Sequence, residues 1–162
     1  MQQSRIRSIF ETLLRHQVRF LVVGGVAAVL RGAPVSTFDV DIVHSTEPEN
    51  VVRILDVLED LDARYRFRPE LRPGASHLSS PGHQLLITRF GPLDILGNIG
   101  NGRRYEDLLP LTDELSVGSD VRVRVLTLEG QIAVKEEVGG EKDVAMLPLL
   151  RRTLEESRRG KC

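Results

Sequence analysis

Apolar positions recur with two different periods along the chain, and their alternation predicts a sheet flanked by helices. Residues 4–17 and 47–62 carry apolar side chains three and four positions apart, which predicts amphipathic helices. Residues 20–23, FLVV, form a short apolar run ended by two glycines, as is typical of a buried strand. The same patterns predict a short helix at 26–32, strands at 38–44, 84–90 and 92–100, a short helix within 101–110, a strand pair turning at 118–120, and helices at 127–138 and 141–157, with an irregular loop at 68–83. The predicted class is α/β or mixed α+β, with one sheet and C-terminal helices.

Composition sets limits on this picture without changing it. The 162 residues are 41% hydrophobic and 28% charged, and the net charge is −1. We expect one domain over residues 1–162, with a core at about 18–126 and a C-terminal helical segment at about 127–158. The one cysteine, Cys162, cannot build a disulfide framework, and no apolar stretch reaches membrane-spanning length. These features favour a cytoplasmic protein without a membrane partner.

The segment TFDVDIV places two acidic residues inside an apolar run. Side chains alternate across a strand, so Asp39 and Asp41 are expected on one face, with backbones ~7 Å apart. Carboxylates this close repel each other unless a cation lies between them, and Mg²⁺ prefers such hard oxygen ligands. The alternative is that the strand ends there and both carboxylates face water. The cation hypothesis requires the acidic groups to converge without being neutralised by neighbouring arginines.

Two further features surround this acidic pair. Gly24 and Gly25 follow the strand at 20–23, and glycines let backbone N–H groups approach a phosphate closely. The pair is neither a dinucleotide G-x-G-x-x-G motif nor a P-loop, and it could equally form only a tight turn. Asp94, in PLDIL, is a third carboxylate within an apolar strand. Three carboxylates are about what a two-metal phosphoryl-transfer site needs.

Residues 22–43, VVGGVAAVLRGAPVSTFDVDIV, together with the later Asp94, resemble the nucleotidyltransferase fold superfamily. This stretch of sequence is most similar to the small bacterial minimal nucleotidyltransferases and the nucleotidyltransferase-like toxins of toxin–antitoxin systems. The resemblance implies a mixed sheet and a Mg²⁺-dependent enzyme. Such an enzyme transfers a nucleoside monophosphate from a nucleoside triphosphate such as ATP to an acceptor hydroxyl, and releases pyrophosphate.

The resemblance also implies roles for individual residues. It marks Gly24 and Gly25 as phosphate-loop residues, and Asp39 and Asp41 as ligands of one or two Mg²⁺ ions. Asp94 would complete the second ion's site. Three further residues are expected to contact the nucleotide: Ser36, Thr37 and Lys135. The acceptor remains open between a small molecule, a tRNA end and a protein, and the small size favours a homodimer.

Two departures from the superfamily pattern motivate a second hypothesis. Val26 stands where serine often follows the glycines, and Val35 where many relatives have a basic residue. A module with little or no turnover, acting through a protein partner such as an antitoxin, would tolerate both. The sequence assigns no role to Arg31, Lys142 or the basic C-terminus that ends in Lys161.

Overall fold

A computed structural model describes residues 2–160, apart from the side chain of Gln2. Lys161 and Cys162, both considered above, lie outside the described residues. The helices are α1 (Gln2–Arg15), α2 (Gly24–Leu30), α3 (Pro48–Asp60), α4 (Ala75–Leu78), α5 (Tyr105–Leu108), α6 (Leu128–Val138) and α7 (Glu141–Arg159). The strands are β1 (Phe20–Val23), β2 (Val40–His44), β3 (Arg64–Tyr65), β4 (His83–Thr88), β5 (Gly91–Leu96), β6 (Thr112–Ser116) and β7 (Arg122–Leu126). Among these elements, no helix has both the length and the apolar character needed to cross a membrane.

The strands of the described residues form one mixed sheet in the order β3-β4-β5-β2-β1-β7-β6. β1 runs antiparallel to β2 and parallel to β7, and β2 runs parallel to β5. The outer pairs, β3–β4, β4–β5 and β6–β7, are antiparallel. The predicted fold class, a mixed sheet flanked by helices, is confirmed.

Helices cover the two faces of the sheet unequally. On the first face, Ile42 of β2 belongs to a buried cluster with Phe10 of α1 and Ile54 of α3. Phe10 is fully buried, so α1, which the predicted core omitted, is part of that core. On the second face, α6 packs through Val134 over the central strands. Leu85 of β4 is 36% exposed, so the sheet is open to solvent there.

Several local predictions differ from the structure. The strand expected at 92–100 ends at Leu96, and the loop expected at 68–83 contains the short helix α4. The strand expected at 38–44 begins at Val40, so Asp39 lies just before it. Pro148 lies inside the last helix, α7, which is continuous. Leu147 and Leu150 are buried beside it, and their packing offsets the one backbone hydrogen bond that a helical proline removes.

Candidate active site

Three carboxylates converge where β2 meets its neighbours. Asp41 lies in register with Val23 of β1 on one side and with Asp94 of β5 on the other. Residues paired in register on adjacent strands lie ~4.8 Å apart and point to the same face, so both carboxylates point to one side of the sheet. Val43, two residues after Asp41, belongs to the cluster that α6 covers, which identifies that side as the second face. Asp39 approaches the same point from the segment before β2.

Arg66 lies between two of these carboxylates. Its Nη2 is 2.5 Å from Asp94 Oδ1, and its Nη1 is 3.8 Å from Asp39 Oδ2. Its main chain extends the β3–β4 pairing, because the Arg66 N–H donates to the Leu85 carbonyl at 2.9 Å. The condition that no arginine neutralises the cluster is therefore not met for Asp94. Asp39 has only a loose contact with Arg66, and Asp41 forms no ion pair with it.

Burial and mutual repulsion make Asp41 hard to ionise. Loss of hydration, followed by the negative charge of Asp94, raises the pKa of Asp41 to about 7, although Arg66 acts in the opposite direction. Burial also raises the pKa of Asp94, against the lowering effect of Arg66. Without a cation beside Asp41, the two neighbouring carboxyls therefore hold a proton near neutral pH.

Asp39 and Asp41 are able to hold a divalent cation. Asp41 Oδ1 is buried and has no hydrogen-bond partner, so a carboxylate oxygen is left without compensation. Across residues 2–160, no three His, Cys, Asp or Glu side chains are already arranged around a metal position. Mg²⁺ typically needs only one or two carboxylates plus substrate phosphates. The donor set therefore fits one ion held by two aspartates and a substrate.

Close approach explains both glycines of the pair. Gly24 has φ +68°, and a Cβ on it would lie 2.2 Å from Asp41 Oδ2. A Cβ on Gly25 would lie 2.7 Å from Thr37 Oγ1. Because Gly24 has no side chain, the Asp41 carboxylate fits against it. Because Gly25 has none, the segment that leads to Asp39 fits against it. The pair thus shapes the acidic cluster, in addition to any phosphate contact.

A cavity of about 200 Å³ opens beside Asp41 and brings in the predicted lysine. Its lining includes Gly24, Asp41, Lys135 and Asp143. Lys135 Nζ lies 3.3 Å from Asp143 Oδ1, so its charge is partly balanced within the cavity. α6 carries Lys135, and its start is fixed by the cap in which the Gly130 N–H donates to Thr127 Oγ1 at 3.0 Å.

Comparison with known proteins identifies the architecture. No protein-family model matches the chain, and no curated protein matches it in sequence. Among solved structures, a candidate nucleotidyltransferase (TM1012) from Thermotoga maritima is 21% identical, with TM-score 0.55, over 93% of this chain and 91% of that one. The antibiotic-resistance factor ANT(2'')-Ia is 17% identical, with TM-score 0.60, over 94% of this chain and 84% of that one.

The chain has the nucleotidyltransferase fold. The resemblance inferred from residues 22–43 is thereby confirmed at the level of the fold. Within this fold, the small cavity brings Gly24, Asp41 and Lys135 together. Asp94 joins them through its register with Asp41. The catalytic, binding and metal roles of these residues remain predictions.

Two of the predicted nucleotide contacts lie elsewhere in the nucleotidyltransferase fold. Ser36 and Thr37 line a larger cavity of about 670 Å³, between the start of α1, the far side of α2 and the β6–β7 turn. Thr37 Oγ1 donates to the Asp39 carbonyl at 3.4 Å, so it supports the acidic segment. Val26 and Val35 line the same larger cavity. Neither valine lines the cavity beside Asp41. The lack of a hydroxyl at Val26 and of a basic group at Val35 therefore does not alter that cavity.

Arg66 is the site residue that the sequence prediction missed. It belongs to RYRFR, in which Arg64, Arg66 and Arg68 alternate with aromatic residues. This two-residue period is typical of a strand with one charged face, and it was a usable signal. The described strand, β3, covers only Arg64–Tyr65. Asp143, which shares the cavity with Lys135, lies in the first turn of α7.

Proposed function

We propose that the protein is a Mg²⁺-dependent nucleotidyltransferase that transfers a nucleoside monophosphate from a nucleoside triphosphate to an acceptor hydroxyl. The supporting observation is the cavity lined by Gly24, Asp41 and Lys135, with Asp94 in register beside Asp41. It unites an anion-binding lysine with carboxylates suited to a cation in a nucleotidyltransferase fold. The reducing interior of a cell, the cytoplasm, supplies both the nucleotide and Mg²⁺.

Each residue of the site has a proposed role. Asp39 and Asp41 would hold Mg²⁺, which when bound neutralises phosphate charge and orients the triphosphate. When the triphosphate binds, Lys135 Nζ leaves Asp143 and contacts a phosphate oxygen instead. The glycine pair lets the triphosphate approach the backbone beside Asp41. Substrate positioning and charge neutralisation account for most of the rate in this class of reaction.

Asp94 is the proposed proton acceptor. The acceptor oxygen forms a bond to the α-phosphorus while the bond from that phosphorus to the bridging oxygen breaks, and pyrophosphate leaves with the electron pair. The hydroxyl proton passes to the Asp94 carboxylate, whose pKa is raised by burial, so that it holds a proton more readily than an exposed carboxylate does. Arg66 holds Asp94 Oδ1 and thereby fixes the orientation of this carboxylate.

Radiolabelled transfer tests this function. The protein is incubated with Mg²⁺ and each α-labelled nucleoside triphosphate, in the presence of a tRNA pool, a protein lysate or an antibiotic alcohol. The last class is included because a structural neighbour is an antibiotic-resistance factor. With one class of acceptor, we expect the label on the acceptor and release of unlabelled pyrophosphate. Asp39→Asn should abolish both. Asp56→Asn, an exposed carboxyl on α3, is the matched control. Transfer at the wild-type rate by Asp39→Asn would refute the mechanism.

A second candidate function is a nucleotidyltransferase-like binding module that acts through a protein partner such as an antitoxin. The observation favouring it is Arg66, which already neutralises Asp94 and approaches Asp39 without any metal. Calorimetry with Mg²⁺ and each nucleoside triphosphate separates the two functions. Metal-dependent nucleotide binding supports the enzyme, and absence of binding for all four nucleotides supports the module.

A further inference from the structure

The acidic cluster and Arg66 are unequal in charge. Three carboxylates, Asp39, Asp41 and Asp94, face one guanidinium, so two negative charges remain uncompensated when all are ionised. One divalent ion supplies the missing positive charge. A second divalent ion would have to displace Arg66 or share a carboxylate with it, and like charges at this distance repel.

Arg66 is held firmly at Asp94. Besides the 2.5 Å contact with Asp94 Oδ1, its Nη2 donates to the Leu86 carbonyl at 3.3 Å. The paired side chains are 24% and 13% exposed, respectively. Partly buried charge-assisted hydrogen bonds of this kind are stronger than neutral ones, and separating them leaves charged groups without partners.

The contact between Arg66 and Asp39 is much looser. The two groups are 3.8 Å apart, and the Asp39 side chain is 44% exposed. Ion pairs as exposed as this one contribute little to stability, so Asp39 can leave Arg66 for a metal ion at little cost. Asp41 forms no ion pair with Arg66, and its buried Oδ1 has no partner.

We propose that Arg66 makes this a one-metal site: a single divalent ion binds through Asp39 and Asp41, while Arg66 keeps Asp94 out of the metal coordination and occupies the place of a second ion. This inference rests on the proposed function, and it revises the expectation that Asp94 is a metal ligand. Arg66 is then a positioning residue, because it orients Asp94 and sets the number of ions without contacting the metal.

The test counts bound ions without using activity. Mn²⁺ alone is titrated into the purified full chain, and free Mn²⁺ is followed by electron paramagnetic resonance. We expect one bound ion per wild-type chain and two per chain of Arg66→Met, in which Asp94 is released. Arg66→Lys retains the charge beside Asp94 and should bind one ion. Asp94→Asn should also bind one ion, with wild-type affinity.

A matched control separates this effect from a general loss of positive charge. Arg68→Met removes a neighbouring arginine whose Nε contacts Glu70 Oε1 at 3.0 Å on the surface, and it should bind one ion. Thermal melting shows whether each variant is folded, and Arg66→Lys tests the proposal even if Arg66→Met fails to fold, because a second ion bound to it would contradict a charge-based exclusion.

The outcomes are distinguishable. Two ions on the wild type, or one ion on folded Arg66→Met, would overturn the one-metal inference and leave the proposed function intact. An ion bound by Arg66→Met but not by the wild type would also overturn it, because Arg66 would then exclude every ion. No ion on any variant would refute the metal-dependent function itself, and the one-metal inference with it.

Discussion

Arg31 and Arg66 are both largely buried arginines that contact aspartates, but their surroundings differ in one respect. Arg31 donates through Nη2 to Asp113 Oδ1 at 2.6 Å and to the Val125 carbonyl at 2.7 Å. Its Nε donates to the Leu126 carbonyl at 3.3 Å. One carboxylate and two carbonyls satisfy it, so Arg31 joins the end of α2 to β7 and β6.

Arg66, in contrast, is surrounded by more negative charge than it can neutralise. Its Nε is buried without a hydrogen-bond partner, and so is Asp41 Oδ1 nearby. Native proteins satisfy most buried polar atoms, and each one that stays unsatisfied calls for an explanation such as a catalytic role or an ion bound at that position. The difference between the two arginines lies in the balance of donors and acceptors around them and not in ion-pair length.

The largest expected effect comes from removing the uncompensated charge at Asp41. Asp41→Asn should lower the rate of nucleotidyl transfer by about 10²–10³-fold, the range seen when one preorganised electrostatic group is lost. Folding should not suffer, since the amide removes a like-charge contact with Asp94. Thermal melting without metal should therefore give an equal or higher Tm than the wild type. A lowered Tm would show that Asp41 is a structural residue.

Neutralising each arginine in turn should separate their roles in stability. Arg31→Met leaves an exposed Asp113 and two carbonyls without their donor, and should reduce the free energy of unfolding by about 2–3 kcal/mol. Arg66→Met leaves Asp94, whose side chain is only 13% exposed, without its ion-pair partner, and should cost about 3 kcal/mol without metal. Mg²⁺ should restore part of the loss for Arg66→Met and none for Arg31→Met, which urea unfolding with and without Mg²⁺ measures. Equal responses to Mg²⁺ would mean that Arg66 is as structural as Arg31.

The fit between Gly24 and Asp41 provides a smaller, geometric test of the same site. Gly24→Ala places a Cβ against Asp41 Oδ2, whereas Gly32→Ala meets nothing within 4 Å. Both glycines have positive φ, +68° and +94°, so each alanine costs about 1–2 kcal/mol in backbone strain. Only Gly24→Ala should also weaken Mn²⁺ binding, measured by titration. Equal metal binding by the two variants would show that Asp41 adjusts freely.

The last test is a slope of stability with pH in the absence of metal. The pKa of Asp41 is about 7 when folded and near 3.8 in the unfolded chain. Between these values the folded chain holds a proton that the unfolded chain has lost, so stability without metal should fall as pH rises from about 4 to 7. Asp41→Asn should flatten this slope in urea titrations at several pH values. Mg²⁺ competes with that proton, so its affinity should rise over the same interval.

The parts of the site that the sequence predicts are those encoded by neighbours in the chain. Gly24 and Gly25 after an apolar strand, and Asp41 among valine and isoleucine, are local patterns with a direct physical meaning. Asp94 is recognisable for the same reason, as a charge in an apolar strand. The fold is predictable for a similar reason. Each helix or strand buries one face, and the spacing of its apolar residues therefore shows which kind of element it is.

The parts that the sequence does not predict depend on pairing between distant segments. Arg66 reaches Asp94 only because β3 joins the sheet edge beside β4, and a two-residue strand leaves almost no periodic signal. Ser36 and Thr37 follow Pro34 in a segment without regular structure, so their direction is set by packing against α2. A hydroxyl close to Asp39 in sequence can therefore line a different cavity.

The exposure of Leu85 affects how reactants and water reach the site. Leu85 is the cross-strand partner of Asp94. Its side chain is 36% exposed, so the sheet surface there is open to solvent and does not form a closed cleft. A long acceptor can therefore lie across Leu85 without displacing any segment between residues 2 and 160, whereas the neighbouring Asp94 side chain is only 13% exposed and is held by Arg66. Water reaches the same open surface, so selectivity between water and acceptor would depend on the acceptor's affinity for that surface.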